Sequence, residues 1–181
     1  MSLWEVLADA EREQWTFTPS VGVGPLRFGM SHDEAAAAMD GFAVVVDGTF
    51  RERDDTRKAE FRSVPDRPSA QPAVTAYYGR VEGLYCVVVD ARCGPQVTLD
   101  GLRLVGRVPS EWEADFLAYA LPRGIAPRYA PEGDLAPEEL GLLIRVQRAG
   151  DVVLTRPVFG IVRERAYTLW DGLPYDEFEV H

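Results

Sequence analysis

The sequence predicts an α+β protein made of two similar units, each a capped helix packed on a small antiparallel sheet. The first unit is indicated by a predicted short strand at Leu26–Met30, which is followed by the capping-box pattern Ser31-x-x-Glu34. A second predicted strand, Leu102–Val105, is followed by Ser110-x-x-Glu113. Few helices and long connections between strands favour a layered α+β arrangement over a doubly wound sheet.

Three segments are predicted along the chain. Residues 1–20 form an N-terminal amphipathic helix and a linker, residues 21–96 the first α+β unit, and residues 97–181 the second. One continuous domain is the alternative, because 181 residues suit either one sizeable domain or two small ones sharing a core.

Residues Leu3–Trp15 are predicted to form the N-terminal helix, since apolar side chains recur there at helical spacing. A short strand at Leu26–Met30 and a helix capped by Ser31 follow. Phe42–Val46 is typical of a strand, and Asp47-Gly48 of a tight hairpin turn.

The middle of the chain contains a charge-dense segment followed by several predicted strands. Arg51–Lys58 is interpreted as a solvated segment because it is dense in charge. Ala59–Val64 predicts a strand, and a proline-rich loop extends from there to Pro72. Val74–Tyr78 and Leu84–Asp90 predict two further strands. The second of these is apolar on both faces, which favours a central place in a sheet.

The second unit is predicted to repeat this plan, with Trp112 on the apolar face of its helix. Its elements in order are a helix from Ser110 through Tyr119, a loop over Pro122–Pro137, a hairpin of Leu140–Gln147 with Val152–Phe159, and a strand over Ile161–Leu169. An acidic tail, Asp171–Val180, closes the chain, and Tyr175 and Phe178 are predicted to anchor it as buried side chains.

Composition excludes several functions. The chain carries 19 Lys+Arg against 29 Asp+Glu, a formal net charge of −10, whereas nucleic-acid binding usually needs a basic stripe. No apolar run approaches the ~20 residues of a membrane span. The first residues are acidic and lack an apolar signal segment, and the two cysteines suit a reducing compartment, so we expect a cytoplasmic protein.

The stretch Leu26-Arg27-Phe28-Gly29-Met30-Ser31, with Glu34 three residues on, resembles a known strand–Gly-Met-Ser/Thr–helix signature. That signature occurs in tandem in the β-lactamase inhibitory protein family and singly in BamE-like outer-membrane assembly lipoproteins. The stretch is also similar to the opening of some immunity proteins of toxin systems and of many small actinobacterial proteins. The second copy departs from it, reading Gly106-Arg107-Val108-Pro109-Ser110. The resemblance implies a fold type and a bias toward protein–protein binding, without implying β-lactamase inhibition.

We therefore predict a non-enzymatic protein-binding module, immunity-like or inhibitor-like, whose acidic surfaces meet a basic protein partner. Tyrosine among acidic residues is a composition that suits an interface. The predicted contact residues lie in the charged segment and in the tail, and are Glu52, Asp54, Asp55, Asp171, Tyr175, Asp176 and Glu177.

The alternative is a small-molecule-binding or hydrolytic domain. Asp90, Arg92 and Cys93 are its candidate site, because an acid, an arginine and a thiol follow the strand that is predicted to be central. His32 and His181 are the only histidines, and His32 is interpreted as a solvent-facing residue in the first turn of a helix.

No catalytic residue, metal or cofactor is predicted. Two histidines and two cysteines fit no zinc-site spacing. The pattern Gly22-x-Gly24 is followed by Pro25 and lacks the third glycine of a dinucleotide-binding loop.

Overall fold

A computed structural model describes residues 3–46, 49–63, 71–179 and 181. In this part of the chain the fold is α+β and mostly β, with two sheets and two α-helices, α1 at His32–Ala38 and α2 at Pro109–Ala120. The strands are β1 Gln14–Thr18, β2 Gly22–Val23, β3 Leu26–Arg27, β4 Phe42–Val46, β5 Thr56–Ser63, β6 Val74–Gly79, β7 Gly83–Val89, β8 Gln96–Leu99, β9 Leu102–Arg103, β10 Leu142–Ala149 and β11 Val152–Gly160. The turn predicted at Asp47-Gly48 lies outside the described residues.

The larger sheet has six strands in the order β10-β11-β7-β6-β5-β4, and all neighbours are antiparallel. The strand predicted to be central, β7, lies between β11 and β6 and is buried on both faces. A β-bulge interrupts its pairing with β6 beside Tyr77 and Tyr78. Because of this extra residue, Tyr85 and Cys86 pack in the same apolar cluster although they are consecutive.

The smaller sheet has the order β3-β2-β1-β8-β9, with β1 and β8 parallel. Both sheets therefore combine strands from residues 21–96 and residues 97–181. The two Leu-Arg strands, β3 and β9, form opposite edges of the smaller sheet, and a helix follows each of them. The similarity of the two units as structural repeats stays a prediction.

The main core lies between the two sheets. Phe17 of β1 and Phe159 of β11 have ring centroids 4.7 Å apart, so the sheets meet across this core. Trp112 and Phe116 of α2 are buried in the same core and stack at 5.1 Å. The apolar face predicted for the second helix is confirmed.

The other face of the larger sheet carries a smaller apolar cluster and a polar strip. In the cluster, Leu143 and Val158 pack with Leu169 and Leu173, which come from the segment after the last strand. The polar strip consists of Lys58, Tyr77, Arg145, Gln147 and Arg156. Strand register places Lys58 beside Tyr77 and Arg145 beside Arg156.

One of the two predicted caps is confirmed. Ser31 accepts a hydrogen bond from the Glu34 N–H at 3.2 Å, and the Glu34 carboxylate accepts one from the Ser31 N–H at 2.8 Å. The cap predicted at Ser110 is wrong, because the N-cap of α2 is Val108 and Ser110 lies inside the helix. Pro109 begins this helix, as expected for a residue that has no N–H to satisfy in the first turn.

The helix predicted over Leu3–Trp15 is wrong. Only Asp9–Glu11 is helical there, as one 3-10 turn, and Trp15 belongs to β1. Leu3 and Trp4, on the predicted apolar face, are 73% and 50% exposed. Strand β1 pairs with the nearby β2 and with β8, far along the chain, and local periodicity contains no information about the distant partner.

Two further predictions on the larger sheet need correction. The charged segment is not solvated throughout, because its end forms β5, and Thr56 is fully buried with its hydroxyl 2.8 Å from that of Tyr85. Ile161–Leu169 does not form a strand. Strand β11, which precedes it, already pairs with β7 and β10, so the following segment has no free edge to join at that place.

Candidate functional site

A groove of about 650 Å³ opens where the charged segment meets the tail. Six carboxylates and three arginines line it together with apolar and aromatic side chains. We call it the acidic groove, and its charged and aromatic lining residues are Glu52, Arg53, Asp54, Asp55, Glu82, Arg163, Glu164, Arg165, Trp170, Asp171, Tyr175 and Phe178.

Arg163 connects the charged segment to other residues that form the acidic groove. Its guanidinium donates to the backbone carbonyl of Asp54 at 2.6 Å and to the carboxylate of Glu82 at 3.2 Å. The same group lies 4.3 Å from the ring centroid of the buried Tyr85. Burial alone would raise the pKa of Glu82, but the hydrogen bond and the charge of Arg163, together with backbone hydrogen bonds, outweigh burial and lower that pKa. Arg163 thus fixes the charged segment on the sheet.

Asp54 joins the two walls of the groove. Its carboxylate accepts a hydrogen bond from the Tyr175 N–H at 3.0 Å and lies 3.6 Å from the guanidinium of Arg51. The Arg53 guanidinium lies over the Tyr175 ring at 4.8 Å from its centroid. The charged segment and the tail are therefore bound to each other as well as to the sheet.

The carboxylates of the groove differ in what they contact. Asp55 pairs with Arg80 at 2.6 Å, and Glu82 pairs with Arg163. Glu52, Glu164 and Asp171 are exposed and make no side-chain ion pair within the described part of the chain. These three are the carboxylates that the fold leaves available at the groove.

Five of the seven predicted contact residues line this one groove: Glu52, Asp54, Asp55, Asp171 and Tyr175. The two remaining residues, Asp176 and Glu177, do not line it. The prediction that Tyr175 and Phe178 are buried anchors is wrong, since they are 49% and 37% exposed.

Glu177 is the residue that anchors the tail. It is 1% exposed, accepts a hydrogen bond from the Tyr77 hydroxyl at 2.5 Å, and forms an ion pair with the buried Arg156. Burial alone would raise its pKa, but the charge and hydrogen bond of Arg156 outweigh burial, so the pKa of Glu177 is lowered. Glu177 anchors the tail, and Tyr175 and Phe178 do not, because the tail packs on the polar strip of the larger sheet.

Asp176 also faces the sheet. Its carboxylate oxygens lie 2.6 Å from Arg51 and 3.1 Å from Lys58. Burial alone would raise the pKa of Asp176, but hydrogen bonds from Lys58 and Arg51 outweigh it and lower that pKa. Asp176 and Glu177 therefore both hold the tail on the sheet.

Sequence reasoning missed Arg163, Glu82, Glu164 and Trp170 as residues of the groove. Arg163 and Glu164 were assigned to a strand that does not form. Glu82 lies in the turn between two apolar strands and carries no local pattern of its own. Their shared place depends on contacts across the sheet, such as the 3.2 Å pair between Glu82 and Arg163.

The alternative site is arranged as a turn rather than as a nucleophile and its base. Asp90 accepts hydrogen bonds from the N–H groups of Arg92 and Cys93 at 2.8 and 2.9 Å. The Cys93 thiol also donates to Asp90, at 3.3 Å. Burial, and after it the charge of Asp90, raises the pKa of Cys93, so the reactive thiolate is disfavoured at neutral pH.

The ring of His32 packs on strand β6. Contrary to the prediction that it faces solvent, its ring is half-buried and packs edge-on against Tyr78 with centroids 5.5 Å apart. Burial lowers the pKa of His32, which keeps the ring neutral at pH 7.

Both thiols are expected to react slowly in the folded protein. Cys86 and Cys93 are free, and burial raises the pKa of each. At pH 8, iodoacetamide should alkylate them at least about tenfold more slowly than free cysteine, because the thiolate fraction sets the rate. The measurement is mass spectrometry over time, with and without denaturant, and a Cys86→Ser variant isolates Cys93. Alkylation of Cys93 at the rate of free cysteine would contradict the expectation.

Neither a metal centre nor a transmembrane helix is found in the described residues. No group of three or more His, Cys, Asp or Glu side chains is placed to hold a metal ion there. No helix in that part of the chain has the length and apolar character needed to cross a membrane.

Fold and site together define a mostly β, two-sheet α+β protein with an acidic, aromatic-lined groove. Comparison with known proteins finds no matching family model, no similar curated protein and no similar solved structure. The resemblance to the inhibitor and assembly-lipoprotein families remains a prediction.

Proposed function

We propose that this protein is a non-enzymatic binding module, immunity-like or inhibitor-like, whose acidic groove takes a basic segment of a protein partner. One observation carries the proposal: two acidic segments far apart in the chain, at residues 52–55 and 171–175, line the same groove. We propose a cytoplasmic setting, which the two free thiols support.

The charge of the groove favours a basic occupant. Exposed Glu52, Glu164 and Asp171 are available to lysine or arginine side chains of a partner. A net charge of −10 adds a long-range attraction, which mainly raises the association rate and the selectivity of binding.

The aromatic side chains favour a protein rather than a simple cation. Tyr175 and Phe178 are partly exposed beside Trp170, and the Phe178 ring meets that of Trp170 edge-on at 4.9 Å. Aromatic residues amid polar ones are the usual composition of interface hot spots. A partner segment with both arginine and apolar side chains would use both features.

The groove is built before any partner arrives. Arg163 fixes the charged segment, and the Asp54 carboxylate fixes the Tyr175 backbone. Binding then orders few additional groups, which reduces the entropic cost of association.

Photo-crosslinking tests the proposal in cells of the native host. p-Benzoylphenylalanine at Tyr175, which is 49% exposed, is expected to give one dominant adduct with a protein whose crosslinked region is basic. The same crosslinker at Tyr129, which is 51% exposed and outside the groove, is the control and should give no such adduct. An equal adduct from Tyr129, or a crosslinked region that is acidic, would contradict the proposal.

Charge reversal within the groove is expected to weaken this interaction. In the crosslinking background, Asp171→Lys should lower the adduct yield by about tenfold, because it replaces attraction by repulsion at a free carboxylate. Asp115→Lys on the exposed side of α2 changes the net charge equally and should leave the yield unchanged. If both substitutions lower the yield alike, the net charge rather than the groove determines binding.

A further inference from the structure

A second cavity, of about 400 Å³, lies against the polar face of the larger sheet. It shares no lining residue with the acidic groove. Its volume lies within the range of small-molecule sites. The lining residues on which the inference depends are Trp4, Asp90, Arg92, Gln147, Arg148 and Arg156.

Two charged residues at this cavity, Arg156 and Asp90, already have partners within the protein. Arg156 forms its ion pair with Glu177. Asp90 accepts backbone hydrogen bonds on one oxygen, and Gln147 donates to the other oxygen at 2.8 Å. Neither group needs a ligand.

The two other arginines have no acidic partner. Within the described residues, neither Arg92 nor Arg148 forms an ion pair with a carboxylate. Their guanidinium carbons lie 5.7 and 5.9 Å from the ring centroid of Trp4. Two positive charges are thus held against one aromatic ring at the wall of the cavity.

Arg92 is the stronger indication of a ligand. It is 8% exposed, and its Nε–H has no hydrogen-bond partner in the described structure. One terminal nitrogen donates to the backbone carbonyl of Leu3. A buried, charged donor without a partner is costly, and an anion would remove that cost.

We propose that this cavity binds a small organic anion, a carboxylate or a phosphate ester. The anionic group pairs with Arg92 and Arg148, and the apolar part of the ligand packs against Trp4. A carboxylate and a phosphate ester each present paired oxygens, and these oxygens match the fork of N–H donors on a planar guanidinium group. This site is independent of the acidic groove and of the function proposed for it.

Calorimetric titration of the purified protein at pH 7 with four probes tests the proposal. Benzoate carries a carboxylate, phenyl phosphate a phosphate ester, inorganic phosphate an anion without an apolar part, and benzyl alcohol the ring without a charge. We expect benzoate or phenyl phosphate to bind more tightly than benzyl alcohol and inorganic phosphate, and the stronger of the two identifies the anion class.

Three variants locate the binding. Arg148→Met, at an exposed position, and Arg92→Met should each weaken binding by about tenfold, the effect of losing one charge-assisted contact. Arg128→Met, at an exposed position that lines neither cavity, removes the same charge and should change nothing. If Arg92→Met fails to fold, Arg148→Met decides alone. Absence of binding by both aromatic anions, equal binding of benzyl alcohol, or unchanged affinity in Arg148→Met would overturn the proposal.

Discussion

Replacing Glu177 with Gln is expected to lower the free energy of unfolding by about 3 to 5 kcal/mol, the usual cost of removing one partner from a buried ion pair. The substitution leaves the charge of Arg156 buried and uncompensated, since that residue is only 8% exposed. Gln retains an oxygen for the Tyr77 hydroxyl, so the loss reports mainly on the charge. The measurement is chemical denaturation at pH 7.

Glu179→Gln is the matched control, because Glu179 lies two residues away in the same tail and is exposed. Its expected effect is within about 0.5 kcal/mol. The double variant Glu177→Gln with Arg156→Met removes both charges and should be less destabilised than the sum of the single variants. A loss below about 1 kcal/mol for Glu177→Gln, the range of surface pairs, would contradict burial of this pair.

The same residue should make stability depend on pH in the acidic range. The pKa of Glu177 in the folded protein is lowered, so its stabilising contribution is complete above its unfolded pKa of about 4.3. That contribution is lost as the pH falls through the folded pKa. The difference in unfolding free energy between wild type and Glu177→Gln should therefore shrink below pH ~4. Parallel pH profiles would contradict the assignment.

Replacing Arg12 with Met is expected to lower the free energy of unfolding by about 3 kcal/mol or more, because several buried carbonyls lose their donor at about 1 to 3 kcal/mol each. The Arg12 guanidinium donates to the carbonyls of Gly94 at 2.7 Å and Ala91 at 2.8 Å. It also reaches those of Leu7 and Arg92. This one side chain thus binds the N-terminal segment to the turn after β7.

Arg103→Met is the control for the loss of an arginine charge. Arg103 pairs with Asp9 at 2.6 Å, but its side chain is 50% exposed, so the expected loss is below about 1 kcal/mol. Arg12→Lys should recover little of the stability, since an ammonium cannot span carbonyls that a planar fork reaches. Equal losses for Arg12→Met and Arg103→Met in chemical denaturation would show that the carbonyl contacts of Arg12 contribute nothing.

The elements that sequence predicts well here are those whose pattern is local. The hairpin of β10 and β11 joins two apolar runs that are close in sequence, with only Gly150 and Asp151 between the strands, and the cap at Ser31 needs only Glu34 three residues on. The N-terminal helix fails for the opposite reason. Trp15 fits the helical spacing of Ala8, but it also fits the strand alternation that Phe17 continues, and the pairing of β1 with β2 and β8 decides between them.

The candidate groove could be predicted only as a set of residue types. Acids and a tyrosine in the charged segment and the tail indicated a partner surface. Nothing local indicated that Asp54 would hold the Tyr175 backbone, or that Arg163 would bind the carbonyl of Asp54. Asp176 and Glu177 are acidic like other residues of the tail. Only their ion pairs with the polar strip show that they anchor the tail.

By itself, the sequence determined an acidic α+β chain with a central strand at β7, a capped first helix and two acidic segments that suit a basic partner. The tertiary structure decided which charges face solvent. A charged side chain is stable inside when fixed partners replace its lost hydration, and those partners come from distant strands: carbonyls at residues 91–94 for Arg12, and Arg156 with Tyr77 for Glu177. The spacing of residues along the chain predicts the apolar faces of helices and strands and the caps of helices. It does not predict such distant partners.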